Sequence, residues 1–431
     1  MRNFVIAAAL ISLFLVSGSG LALVHADSQT ATVKVGTRPL AMAYDSANGY
    51  VYVAGLDSNS VTVLSGSTVV DNITGLARPN NVLFDPSNNY VYVTEYDSEH
   101  LAVISGTSII ANISIGIEPM SLGYDSSNND VYVGFAKSLL SRGDLVAVVS
   151  NTTVTANVSV GVTPYAMAYD ASSKDMYVAD LGNSHVSVIS GTTDVANISV
   201  GASPEAIVYN PSNNDVYTAN NNNGSVTVIS GTQGVANITV GGAPTGLAIN
   251  SQNNDVYVTS DNPGSPGSVT IISGTSKVGL VTVGDNPGSP VYDSGNGDVY
   301  TANPGASVTV NGNLEGWLSQ ISGMTNVQNV TVGFSPNTLL VDPSNNEIYV
   351  TNDVAGTVMI VIAGSSSGAS STTSQSQTSA PSTSATSSVS STGSSSSLPV
   401  SYLGVLAADA VAILLVAMLL GRARQRSLRF R

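Results

Sequence analysis

Between residues 32 and 362 the chain repeats one pattern of apolar and polar positions. A short apolar run is followed by a turn of Asp, Asn, Ser and Gly, then by (V/I/M)-Y-(V/T). The tyrosines of that triplet are Tyr52, Tyr92, Tyr132, Tyr177, Tyr217, Tyr257, Tyr300 and Tyr349, at spacings of 40, 40, 45, 40, 40, 43 and 49 residues. Eight copies of about 41 residues result, a period that marks a repeat architecture. The copy at 202–241 shows the unit. Pro204 opens EAIVY, NPSNND turns, DVYTAN is a second strand, NNNG turns, SVTVIS is a third, GTQG turns and VANITVG is a fourth. Turn residues at about ten-residue spacing predict a four-stranded antiparallel meander. The middle strands are apolar at successive positions, as suits a sheet covered on both faces. Stacking such sheets around an axis gives an all-β fold, a β-propeller.

The count predicts eight blades, with seven as the alternative if the copy around Tyr300 is irregular. That copy carries the insertion NGNLEGWLSQISG with the chain's single tryptophan, Trp317. Two further insertions, KSLLSRGDL after Tyr132 and DNPGSPG after Tyr257, also fall between second and third strands, so all three crowd one face of the disc. The last copy ends after three strands, at Ile362. The first copy is preceded by a lone ATVKVG that matches the fourth-strand pattern of ANISVG and ANITVG. The N-terminal strand from Thr32 to Val35 is therefore expected to complete the C-terminal blade and close the ring.

The two ends follow other patterns. Residues 1–26 join a basic start at Arg2 to an apolar run from Phe4 to Val16 and a small-residue site at Val24-His25-Ala26. This is the pattern of a secretory signal peptide, with an uncleaved anchor as the alternative. The propeller then occupies 27–362. Residues 363–398 form a Ser/Thr-rich stalk, with 24 Ser or Thr among the 35 residues from Gly364 to Leu398 and no charge. So little apolar surface cannot offset the entropy of ordering, and the stalk is expected to be extended, to reach up to roughly 115 Å and to carry O-glycans. Residues 399–421 are expected to span a membrane as one helix. Their apolar run from Tyr402 to Leu420 is interrupted by one charge, Asp409, a candidate for pairing with a partner helix. Five arginines follow in the tail 422–431, which places the C-terminus in the cytoplasm and the N-terminus outside. A C-terminal sorting signal, cut and replaced by a lipid, is the other reading of this order.

Charge sharpens this topology. The chain has 28 acidic and 13 basic residues, a net charge of −15 and no cysteine. From Asp27 to Leu398 there are 27 acidic and 7 basic residues, so the exterior region carries −20 and the tail +5. An anionic exterior is a poor nucleic-acid partner, because phosphates are met by clustered Lys and Arg. Without cysteine there is no disulfide, thiolate metal site or thiol catalysis.

The literal Tyr349-Val350-Thr351-Asn352, with the near matches Tyr92-Val93-Thr94-Glu95, Tyr217-Thr218-Ala219-Asn220 and Tyr257-Val258-Thr259-Ser260, resembles the YVTN-type β-propeller repeat of archaeal surface-layer and related cell-surface proteins. The resemblance covers nearly all of residues 32–362. It implies a surface structural or adhesive role rather than an enzymatic one, with other cell-surface proteins, glycans or a second copy as partners. Fold alone does not fix biochemistry, since propellers host unrelated functions.

Candidate chemistry lies first in the N-x-S/T sequons at Asn72, Asn112, Asn151, Asn157, Asn197, Asn223, Asn237 and Asn329. Six of them (Asn72, Asn112, Asn157, Asn197, Asn237 and Asn329) share one position of the fourth strand, the outermost of a blade, so glycans there would decorate the rim and blunt its edges. The Asp-rich turns at 45–48, 85–88, 125–130 and 342–346 offer oxygen ligands for Ca²⁺ but only one or two carboxylates each, and Asp-Pro-Ser-Asn is also what a plain turn requires. They are read as turns, and no metal or cofactor is expected. His100 and His185, 85 residues apart, belong to no recognisable metal or nucleophile constellation. A propeller lyase would bring a carboxylate and a histidine together at the central channel. A solute-binding module would show an apolar, aromatic-lined channel mouth. Tyr165, Trp317 and the inter-blade tyrosines are candidates for stacking on a sugar, with the filling of sheet interfaces as the other reading.

Overall fold

The computed structural model describes residues 28–136, 144–305, 309–310 and 313–362. The expected signal peptide, stalk, apolar helix with Asp409 and basic tail all lie outside these residues, as does most of the KSLLSRGDL insertion. Among the described residues no helix is long and apolar enough to cross a membrane.

Eight separate antiparallel sheets succeed one another along the chain. In the first blade the strands Pro39–Asp45, Tyr50–Gly55, Ser60–Ser65 and Thr68–Thr74 pair in sequence order. The inner strand has mixed burial, the second and third are buried almost throughout, and the fourth buries only Ile73. This is the pattern expected of a sheet with its first strand at the axis and its fourth at the rim. The eighth blade contains Pro336–Asp342, Glu347–Asn352 and Thr357–Ile362, and its outer strand is the N-terminal Ser28–Lys34, antiparallel to Thr357–Ile362. The ring is closed as the lone ATVKVG predicts.

The blade around Tyr300 is irregular but complete, which settles the count at eight rather than seven. Its inner strand shrinks to Val291–Asp293, its outer pair lengthens to Asn313–Ser322 and Thr325–Phe334, and Thr309–Val310 folds back on the start of the third strand. The extra residues extend the sheet at one end instead of replacing a strand.

The repeated tyrosine holds neighbouring blades together. All eight rings are at most 1% exposed. In six of them the phenol reaches the third-to-fourth-strand turn of the next blade. Tyr52, Tyr132, Tyr177, Tyr217 and Tyr257 donate to the carbonyls of Gly106, Gly191, Gly231, Gly274 and Gly323, and Tyr92 to that of Asn151, at 2.7–3.0 Å. Each accepting residue holds a positive φ of 54–59° that aims its carbonyl at the phenol. The other two flank the seam. Tyr300 faces the eighth blade, whose third and fourth strands come from opposite ends of the chain, and Tyr349 donates to Glu347 Oε2 at 3.2 Å.

The turns between first and second strands are Asx turns in every blade. In the first, Asp45 Oδ1 accepts from the Ala47 amide, the Asp45 carbonyl accepts from the Gly49 amide, and Gly49 supplies φ +75°. Asp85, Asp125, Asp170, Asn210, Asn250, Asp293 and Asp342 repeat the side-chain bond.

Between blades, the glycine ending a fourth strand is required by its neighbour. A Cβ on Gly161, Gly201 or Gly284 would stand 2.5–2.7 Å from Asp180, Asn220, or Asn303 and Trp317. Only hydrogen fits there. This accounts for the recurring Val-Gly at the end of the fourth-strand pattern.

Candidate functional sites

The rim is built by the fourth strands. All eight sequon asparagines are exposed, and Asn72, Asn112, Asn157, Asn197, Asn237 and Asn329 share one register, each immediately before a buried Ile or Val. Asn151 and Asn223 lie elsewhere. Asn151 occupies a turn with φ +54°, its Oδ1 accepting from Asn88, and Asn223 Oδ1 accepts from the Ala202 amide. Both acceptor amides are thus already employed in holding turns.

A second site lies at the axis. A cavity of about 700 Å³, lined by the first four blades and the last two, opens on the face bearing the turns between second and third strands. Its position follows from a proline at the head of each copy, Pro39, Pro79, Pro119, Pro164, Pro204, Pro244, Pro287 and Pro336, at the spacing of the tyrosines. In five blades the residue before proline takes φ of 51–60° and its carbonyl accepts an amide from the adjoining turn: Arg38 from Leu56, Arg78 from Tyr96, Thr163 from Leu181, Ser203 from Asn221 and Ser335 from Asp353. The residues after proline then line the channel, among them Leu40, Asn80, Met120 and Tyr165. Side chains one step further tie the ring together. Asn81 Nδ2 donates to the Met120 carbonyl, and the hydroxyls of Ser121 and Thr338 donate to the carbonyls of Pro164 and Leu40.

Two tyrosines stand at the mouth, each beside a glutamate. Tyr165 is 44% exposed, and its phenol is raised above the ordinary value by burial and by the charge of Glu205. Burial also raises the Glu205 carboxyl, partly offset by a hydrogen bond from the Asn221 side chain. Tyr96 is raised by burial and by Glu118, and the Arg78 guanidinium lies 5.7 Å from its ring centroid. Tyr165, singled out in the sequence as a residue that could stack on a sugar, lines this cavity; Tyr96, Glu118 and Glu205 were not foreseen. Their signal was the in-phase proline, which identifies the channel positions once the copies are aligned. Trp317 lies in the third strand of the seventh blade, packed by Gly284 and Gly305, and does not line the channel.

Both histidines stand opposite acidic residues, His100 across from Glu95 and His185 across from Asp180 in the strand register. These pairs join second to third strands, and the channel lining contains neither histidine. Asp180 is fully buried. Loss of hydration pushes its carboxyl up to about 7, against hydrogen bonds from Ser187 and the Gly161 backbone. Above it a groove of about 820 Å³ runs between residues 159–162 of one blade and His185, Asp194 and the sequon Asn197 of the next. Among the described residues no three His, Asp or Glu side chains are grouped to hold a metal ion. In the Asp-rich turns the Oδ1 atoms are engaged by backbone amides.

The fold and these sites define an eight-bladed β-propeller of four-stranded blades with a polar rim and an axial cavity. Known structures share that fold at low identity. Sqt1 from Saccharomyces cerevisiae is 11% identical, with a TM-score of 0.62, covering 78% of this chain and 98% of its own. The C-terminal WD40 domain of Sif2 is 9% identical, with a TM-score of 0.58 over the same shares. A catalytically inactive virginiamycin B lyase from Staphylococcus aureus, solved with quinupristin, is 9% identical, with a TM-score of 0.51, again covering 78% of this chain and 98% of its own. No family model matches the chain, and no curated protein does. At these identities the likeness establishes the fold alone.

Proposed function

We propose that the chain is an extracellular, N-glycosylated propeller, held to the membrane by its C-terminal apolar segment, that serves as a structural or adhesive component of a cell surface. The observation that carries this reading is the shared register of the six rim sequons. An asparagine exposed at the same point of six outermost strands, with Ser or Thr two residues on along the same strand face, offers a glycosyltransferase one acceptor geometry six times. The signal pattern, the Ser/Thr stalk, the apolar run and the arginine tail supply a route to that location. Intact-mass measurement of native protein before and after deglycosylation tests it. Loss of several glycan masses, abolished site by site by Asn→Gln at 72, 112, 157, 197, 237 and 329, is the expected result. Native protein with unmodified sequons, recovered from the cytosol, would sink the reading.

A second reading, a surface-displayed solute-binding module, is favoured by one observation. The channel mouth carries Tyr96 and Tyr165 beside Leu40, Met120 and Leu181, the aromatic and apolar lining that such a module requires. The two readings are compatible, because rim and mouth are different surfaces.

A further inference from the structure

We propose that the channel mouth binds a small organic cation, its ammonium or guanidinium group seated on the Tyr165 ring and held by Glu205. This rests on the solute-binding reading above and names the chemistry of the solute.

The mouth already holds one cation in this manner. Arg78 lies over the Tyr96 ring at 5.7 Å and is 3.2 Å from Asp97, so ring face and carboxylate act on the same guanidinium. Tyr165 and Glu205 present the same two elements on adjoining inner strands, each as the residue that follows the in-phase proline. Among the described residues neither forms an ion pair or cation–π contact, while the two arginines of this face, Arg38 and Arg78, are engaged by Asp57, Asp97 and Asp353. Glu205 is partly buried, and the Asn221 side chain is its hydrogen-bonding partner among the described residues. A carboxylate deprived of water and without a counter-ion gains most from a cationic ligand.

Charge is preferred over neutral polarity for a second reason. A sugar would need the uncharged hydrogen-bonding groups of the cavity, and three of those are committed to the ring itself. Asn81 Nδ2 is spent on the Met120 carbonyl, Asn80 Oδ1 on the Thr94 hydroxyl, and the Thr338 hydroxyl on the Leu40 carbonyl. The net −20 of the exterior region adds a long-range field that concentrates cations at the mouth.

The test is titration calorimetry on the purified full-length protein with agmatine and spermidine as cationic probes and N-acetylglucosamine as the neutral one. Saturable agmatine binding is expected, weakened about tenfold or more by Glu205→Gln, the loss of one charge-assisted contact. Tyr165→Leu should weaken it as well, and Asp71→Asn, at the exposed rim, should leave it unaltered. Glu205→Gln keeps the shape of the side chain and its acceptor for Asn221, so it carries the test even if Tyr165→Leu is poorly folded. Equal agmatine affinity in wild type and Glu205→Gln overturns the inference. Saturable binding of the sugar without either amine also overturns it but leaves the solute-binding reading standing, whereas binding of none of the three probes removes both.

Discussion

Asp180→Asn should stabilise the propeller at neutral and alkaline pH and change little in acid. The side chain is fully buried and lack of water raises its carboxyl to about 7. In the unfolded chain an aspartate ionises near 3.9. Below pH about 4 both states are protonated, and the group costs nothing. As pH rises from about 4 to about 7, the unfolded chain releases its proton while the folded one keeps it, so stability falls, and it levels off above about 7. Three pKa units at 1.36 kcal/mol each set the full penalty at about 4 kcal/mol. The folded protein already shows how an amide fits this position. Asn220 occupies it one blade on, its Nδ2 donating to Ser225 Oγ at 3.2 Å and to Thr227 Oγ1 at 2.9 Å. Ser187, which donates to Asp180 Oδ2 at 2.8 Å, is the register equivalent of Thr227 and needs only to rotate its hydroxyl to accept. Urea unfolding of wild type and Asp180→Asn at about pH 4 and about pH 8.5 measures the effect as a pH-dependent difference between the two, free of the other carboxylates. A difference of the same size at both values would mean that Asp180 is ionised in the folded state, and the reasoning would fail.

Tyr177→Phe removes the bond to the Gly231 carbonyl and should cost about 1–2 kcal/mol in urea unfolding, whereas Tyr349→Phe, whose phenol reaches Glu347 within its own blade, should cost clearly less. Gly201→Ala forces a Cβ to 2.6 Å from Asn220, which two hydrogen bonds hold in place, and should lower stability by about 1–3 kcal/mol; its cost should shrink when combined with Asn220→Ala. Ca²⁺ and EDTA should leave the thermal midpoint unmoved, because each Asp-rich turn gives one carboxylate oxygen to a backbone amide and no three acidic or histidine side chains are grouped among the described residues. Removing residues 27–35 takes away the outer strand of the eighth blade with the buried Val33 and Val35, and should leave a ring that melts far below the intact one.

What could be read from the sequence was what repeats locally. Four strands per copy, the Asx turns and the closing N-terminal strand all follow from patterns within about 41 residues, and the repetition made eight weak signals into one strong one. The channel was less legible because its wall is assembled from one or two residues of each copy, brought together only by closure of the ring. Glu205 looks like an ordinary strand residue until it is placed after the in-phase Pro204. Asp180 and Glu95 were likewise hidden. Both stand where Asn220, Asn303 and Asn352 stand in other blades, and only alignment of the copies marks them as carboxylates at a buried position. Their register opposite His185 and His100 depends on strand pairing that spacing alone does not provide.

The rim shows why glycans would have a different task from protecting strand edges. Every outer strand contains a bulge at its third residue, where register slips by one: Thr30, Val70, Ile110, Thr155, Val195, Val235, Val278 and Val327 have no partner across the ladder. A bulge bends the edge and spoils its template for another strand, so edge pairing is opposed by the backbone itself in all eight blades. The bulge has its own liability, since Val70, Ile110, Val195, Val235, Val278 and Val327 are 40–52% exposed. In five of these six the sequon asparagine follows two residues later, close enough for a glycan to lie over the apolar side chain; after Val278 comes Leu280 instead, 57% exposed. Protein made without glycans is therefore expected to fold and stay free of cross-β aggregates, yet to bind a hydrophobic dye more strongly and to associate weakly through the rim. Val235→Lys in that unglycosylated protein should reduce the association. Fibrillar aggregation on loss of glycans would show instead that the sugars, and not the bulges, guard the edges.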